Sequence, residues 1–191
     1  MNPIGHIGLT VGAAFVANQV AGRAAFGSIH RRWHPLSYVA VGLGSMLPDL
    51  VDKPLALLFL QDAATRTYGH TLLFSIALCL AGLAFLLASG RTYGLALAGG
   101  SLGHLALDAM WALPHVLYWP LLGGGFPRVH EDISFLEMVW WALNDPVRVA
   151  GDMLGLLALA LVVAWVVAEK GIKRLQRDAR HRAVTTENEP V

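Results

Sequence analysis

Five apolar runs, about residues 4–21, 36–60, 70–89, 93–113 and 153–168, alternate with short polar connections along the chain. Each approaches the roughly 20 apolar residues that a helix needs to cross a hydrocarbon core, so each is expected to be a transmembrane helix. The first is rich in Gly and Ala, and Gly8 with Gly12 gives the spacing that lets two helices approach closely; Gly99 and Gly103 repeat it in the fourth. The second run differs from the rest. Asp49, Asp52 and Lys53 interrupt it, bracketed by Pro48 and Pro54. Proline removes a backbone donor and disfavours helix at the residue before it, so a broken span is expected here. Broken backbone at membrane depth is tolerated only where protein buries it or where it lines a polar cavity.

Residues 115–125 are apolar but too short to cross, which suggests an interfacial or re-entrant segment with Trp119 at the headgroups. Ser134 and Glu137 have capping-box spacing, and the helix they would open carries Phe135, Leu136, Val139, Trp140 and Leu143 on one face. It is expected to lie on the membrane surface. Lys170, Lys173, Arg174, Arg177, Arg180 and Arg182 follow the last run, and a polar segment of disordered composition comes after them. The expected architecture is therefore all-α, an integral membrane bundle of about five transmembrane helices with a broken second span and an interfacial helix. Residues 1–170 form the transmembrane domain and 171–191 a basic, then polar, cytoplasmic tail.

Composition agrees with this class. Of 191 residues, 55% are hydrophobic and only 14% charged, against about 25% charged in soluble domains. With five spans, Arg23, Arg31, Arg32, Arg91 and the six basic residues after the last run share one side, ten in all, and only Lys53, Arg66, Arg128 and Arg148 fall on the other. The ten mark the cytoplasm. The protein is expected in the inner (plasma) membrane, multi-pass, with its C-terminus cytoplasmic. The basic residues flank apolar runs without a recognition motif, so no nucleic-acid partner is expected; His30 and His34 belong to such a flank and read as headgroup contacts.

The same topology brings the costly polar residues to one depth. His6 begins the first run, Asp49 and Asp52 lie past the middle of the second, His70 opens the third, and His104 with Asp108 occupies the outer half of the fourth. His104 and Asp108 are four apart and share a helical face. Ionisable groups inside a bundle mark functional sites. Imidazole combined with carboxylate suits a divalent metal ion, zinc or manganese, rather than magnesium or calcium. The lone Cys79 lies within an apolar run and offers no thiolate site. His6, Asp49, Asp52, His70, His104 and Asp108 are the candidate ligands, for one ion with supporting groups or for a two-metal centre.

Gly5-His6, Leu47-Pro48-Asp49-Leu50-Val51-Asp52-Lys53-Pro54, Arg66-Thr67-Tyr68-Gly69-His70-Thr71, Gly103-His104-Leu105-Ala106-Leu107-Asp108 and Tyr118-Trp119-Pro120-Leu121 follow one another in this order. Through these segments, which cover about residues 5–122, the chain resembles the membrane-bound metal-dependent hydrolase family, also described as LexA-binding, inner-membrane-associated hydrolases. It departs from that family's pattern at Lys53 and Thr65, where many members have histidine, and at Thr71, where they have serine. The resemblance implies an inner-membrane helical protein with a His/Asp metal site, and a hydrolase.

Metal-dependent hydrolysis on the extracytoplasmic side is accordingly the expected function, with a membrane lipid or lipid-linked (phospho)ester entering sideways as substrate. Asp52 and Arg66 are the expected catalytic residues: any carboxylate that does not bind the ion is a candidate general base, and Arg66 and Lys53 are candidates to hold an anionic group of the substrate. Two other functions use the same residues. A transporter for divalent cations or protons would pass its cargo through them, although no internal repeat is evident. A non-catalytic scaffold would use them only to lock helices together.

Overall fold

The computed structural model of the chain describes residues 3–24, 36–58, 66–126, 140 and 144–187. Every regular element among them is helical: α1 (Pro3–Ala24), α2 (Tyr38–Leu58), a 3-10 turn (Tyr68–His70), α3 (Leu72–Ser89), α4 (Tyr93–Leu107), a second 3-10 turn (Met110–Ala112), α5 (Pro114–Leu117) and α6 (Pro146–Glu187). The loop at 130–132, the basic linker at 25–35 and, but for Trp140, the surface helix expected at 135–143 lie outside the described residues.

The ends of the helices follow from local chemistry. Thr71 caps α3, its Oγ1 accepting the Phe74 N–H at 3.1 Å, and Gly90 closes it with φ +70°. The left-handed region suits glycine, which has no Cβ to clash there. Asp145 opens α6, its Oδ1 accepting the N–H groups of Val147 and Arg148 with Pro146 at the first position. α4 stops at Leu107, earlier than its apolar run, because Ala109 takes φ +50° directly after Asp108. An alanine held there is strained, a feature that clusters at functional sites.

Among the described residues, three helices are long and apolar enough to cross a membrane: α1 over Pro3–Ala21, α3, and α6 over Pro146–Arg177. This is fewer than the five expected. α2 has the length, at 21 residues, but Asp49, Asp52 and Lys53 make it too polar to stand as a lone span. α4 has only 15 residues, about 22 Å of helix. Both nevertheless run antiparallel to the other three, because the starts of α1 and α3 meet the end of α4 around His6, His70 and Asp108. The expected break in α2 is also absent, and the helix continues through Pro48 and Pro54. Proline's ring presses on the carbonyl four residues back. For Pro48 that residue is Gly44, which has no side chain to crowd further. α6 runs on beyond its apolar part, through the basic residues, to Glu187.

Glycine, not bulky side chains, sets the distances between helices. A Cβ at Gly8 would strike the backbone of Gly155, one at Gly82 the backbone of Gly94, and one at Gly44 or Gly100 the backbone of the facing helix at Leu97 or Val41. α1 thus lies against α6, α3 against α4, and α4 against α2 at backbone contact, the mode of packing available where no hydrophobic effect drives association. A small apolar core of Val11, Ala14, Ala40, Val41, Ala96 and Val162 ties α1, α2, α4 and α6 together. The large side chains point outward, Leu80 on α3 and Leu161 on α6 among them.

Candidate metal centre

Asp52 is buried, with no exposed surface. Its Oδ2 accepts the Thr67 N–H at 2.5 Å and its Oδ1 the Gly69 N–H at 2.6 Å. The 3-10 turn at Tyr68–His70 aims both donors at α2, and only glycine fits at 69, where a Cβ would stand 2.6 Å from the Pro48 carbonyl oxygen. The same Oδ2 takes the His70 Nδ1–H at 2.7 Å. A carboxylate gathering three donors holds the proton of His70 on Nδ1, so the Nε2 lone pair points away from Asp52.

His104 reaches the same state by another route. Its Nδ1 lies 2.6 Å from the carbonyl oxygen of Ser45. A carbonyl can only accept, so this nitrogen carries the proton and Nε2 has the lone pair. The two Nε2 atoms lie 3.2 Å apart, buried, each aimed at the other. Facing lone pairs repel, and a positive charge belongs between them. Asp49 Oδ1 stands 3.8 Å from His70 Nε2 and 3.9 Å from His104 Nε2; Asp108 Oδ2 stands at the same two distances. Ligand atoms 2.0–2.2 Å from a tetrahedral ion stand about 3.3–3.6 Å from one another. The two imidazoles and Asp49, with spacings of 3.2–3.9 Å, therefore fit one divalent ion with little movement, and Asp108 stands as close to both imidazoles.

Each carboxylate is steadied by a cation. Lys53 Nζ lies 2.8 Å from Asp49 Oδ2, and Arg66 reaches Asp108 Oδ2 through Nη2 at 2.8 Å and Nε at 3.0 Å. Asp108 Oδ1 meets His6 Nε2 at 3.1 Å. The His6 ring stacks on that of His104, centroids 4.0 Å apart and planes 19° from parallel. His6, His104 and Asp108 make a second group able to hold an ion, sharing His104 with the first group of Asp49, His70 and His104. α6 fixes the start of α1 beside this site, since Asp152 Oδ1 accepts the Gly5 N–H at 3.2 Å.

The family model for the YdjM inner membrane protein matches residues 1–175, every helix that builds this centre included. The chain belongs to the YdjM family. That description agrees with the three apolar helices and with the family resemblance carried by the motifs, in that both make this a membrane protein. No curated protein and no solved structure matches the chain.

In this YdjM-family chain five of the six candidate ligands converge: His6, Asp49, His70, His104 and Asp108 lie within one network of contacts. Asp52 stands apart, on the far side of His70, with both oxygens engaged by backbone N–H groups. It orients a ligand and faces no open space. Arg66 borders the centre and its side chain is 38% exposed. His115 stays at the surface, its Nδ1 3.3 Å from the Leu122 carbonyl oxygen. Sequence reasoning missed Ser45, Thr67, Gly69 and Asp152. Three of these act through backbone atoms, which no residue type announces; Gly69, flanked by Tyr68 and His70, is the one visible cue.

Proposed function

We propose that the protein is a metal-dependent hydrolase of the inner membrane, acting on an ester or phosphoester at a centre open to the extracytoplasmic side. The observation that carries the reading is the pair of facing Nε2 lone pairs between two carboxylates. His70, His104, Asp49 and Asp108 would hold the ion, and Asp52 would keep His70 in its binding tautomer. A divalent ion bound there supplies an activated water and polarises the oxygen of a carbonyl or phosphoryl group. Arg66 has guanidinium donors beyond the two spent on Asp108, and these suit an anionic substrate group at the edge of the centre.

Turnover tests this directly. Purified wild-type protein in nanodiscs is expected to cleave at least one class among carboxylic esters, phosphomonoesters and phosphodiesters. Chelation should abolish the activity, and zinc or manganese should restore it. Asp49→Asn should lower kcat/KM by about 100-fold or more, in line with loss of a group that touches the metal. A metal-loaded protein that cleaves none of these classes would exclude hydrolysis and leave transport or scaffolding.

The ten-to-four distribution of Lys and Arg supports the proposed sidedness. In a Cys79→Ser background, Leu121→Cys should react with an impermeant thiol reagent on intact cells, and Leu175→Cys only after lysis. Both positions are well exposed. The opposite pattern would put the centre on the cytoplasmic face.

A further inference from the structure

Between Arg148 and Glu169, Asp152 is the one charged residue of α6. It sits about 9 Å into a helix that is otherwise apolar there. An ionised carboxylate within such a span is costly unless it is paired. The start of α1 explains its presence. The first four N–H groups of a helix have no partner within it, and the positive end of the helix dipole favours an anion. α1 has no acidic residue in its first turn. Asp152 supplies one from the neighbouring helix, its Oδ1 accepting the Gly5 N–H at 3.2 Å.

This cap is not what pairs the two helices. Further along, Gly8 meets the Gly155 main chain, Val11 and Ala14 share a core with Val162, and the Phe15 ring stands edge-on to Trp165 with centroids 5.9 Å apart. Asp152 acts ahead of all of these, on the turn that carries His6. That histidine touches two of the proposed ligands. Its Nε2 holds Asp108 Oδ1 at 3.1 Å, while Arg66 holds Oδ2, the oxygen that faces His70 and His104. Its ring covers one face of His104. Among the described residues nothing bonds its buried Nδ1. The side chain thus has a single hydrogen bond, and its place is set by the backbone that carries it.

We propose that Asp152 is a positioning residue for the metal centre: by capping α1 from α6 it sets His6, and through His6 the direction of Asp108 and the plane of His104. The proposal rests on the metal-holding part of the proposed function and is independent of the bond cleaved.

Cobalt(II) is the probe, added to purified full-length protein, because its titration reports affinity and its visible absorption reports the arrangement of the ligands. Asp152→Leu removes the acceptor and should weaken cobalt binding about 10-fold or more, within the range for loss of an outer partner. It should also shift the visible spectrum at saturation. Asp152→Asn keeps an oxygen for the Gly5 N–H and should recover most of both. A role confined to helix packing would lower the melting temperature and leave the saturated spectrum as in wild type, which overturns the proposal. His6→Phe keeps an aromatic ring on His104 and removes the nitrogen on Asp108. In a His6→Phe background the effect of Asp152→Leu should largely vanish; additive losses overturn the route through His6. Should Asp152→Leu fail to fold, Asp152→Ala takes its place with the same expected results. Wild-type protein that takes up no cobalt sinks the metal centre and this proposal with it. Cobalt binding indifferent to Asp152 sinks the positioning role alone, whereas the hydrolase reading fails separately, on absence of cleavage.

Discussion

His104→Ala is expected to strip the protein of its metal. The side chain contributes one of the two facing Nε2 atoms, and its ring is held by the Ser45 carbonyl at one end and the His6 ring on one face. Alanine removes the ligand atom and leaves His70 Nε2 between Asp49 and Asp108, with His6 Nε2 against the other oxygen of Asp108. Loss of an outer partner typically lowers metal affinity about 10–100-fold; loss of a ligand should exceed that. Metal analysis of protein purified in mild detergent should give near one equivalent for wild type and little for the variant. His104→Gln, which keeps most of the volume, separates loss of ligand from loss of packing. Wild-type protein that arrives without metal and fails to rebind it would end the metal hypothesis.

Asp52→Asn is the second large effect, and it distinguishes an orienting carboxylate from a ligand. An asparagine side chain can offer one oxygen to the Thr67 N–H, the Gly69 N–H and the His70 Nδ1–H, which now share two. At least one buried donor faces the amide NH₂ unsatisfied, at a cost of about 1–3 kcal/mol. With no acceptor fixing its proton on Nδ1, His70 is free to carry it on Nε2, the nitrogen that must bind. The expected result is about 10–100-fold weaker metal affinity and a lower melting temperature, with metal still bound at high concentration. Chelator competition and thermal unfolding measure the two. An affinity equal to wild type would mean that His70 is held in place by other means.

Most of this site could be read from residue types and spacing, because the membrane makes polar residues expensive and therefore conspicuous. His6, Asp49, His70, His104 and Asp108 stood out against apolar runs, and the alternation of helix directions put them at one end of the bundle. What spacing could not give was direction around the helix axis. Asp49 and Asp52 are three apart and look equivalent, yet Asp49 faces the two Nε2 atoms and Asp52 the backbone of the turn before α3. The number of independent spans was likewise overestimated. Hydropathy runs do not reveal that α4 ends at Leu107, just before the positive φ of Ala109, nor that α2 takes its two prolines without breaking. The glycine pairs were half legible. Gly8 does meet a helix, whereas Gly99 meets none, and the contacts made by Gly44, Gly82, Gly94 and Gly100 have no pattern that separates them from other glycines.

Those backbone contacts bear on how the protein would respond to its surroundings. Lipid bilayers differ in thickness by several ångströms, and a helix adapts by tilting, at a fraction of a kcal/mol per ångström of mismatch. Where α1, α2 and α4 touch through side chains, such tilting would spread the ligand atoms. α2 and α4, however, meet main chain to main chain at Gly44 and Gly100, so closer approach is blocked by atoms that have no alternative rotamer. Along α3 the corresponding stop is Gly82 against Gly94, well removed from His70. The approach of α2 to α4 thus has a floor set by main-chain atoms, so Asp49 on α2 cannot be pressed closer to His104 on α4 as the bilayer thickness changes.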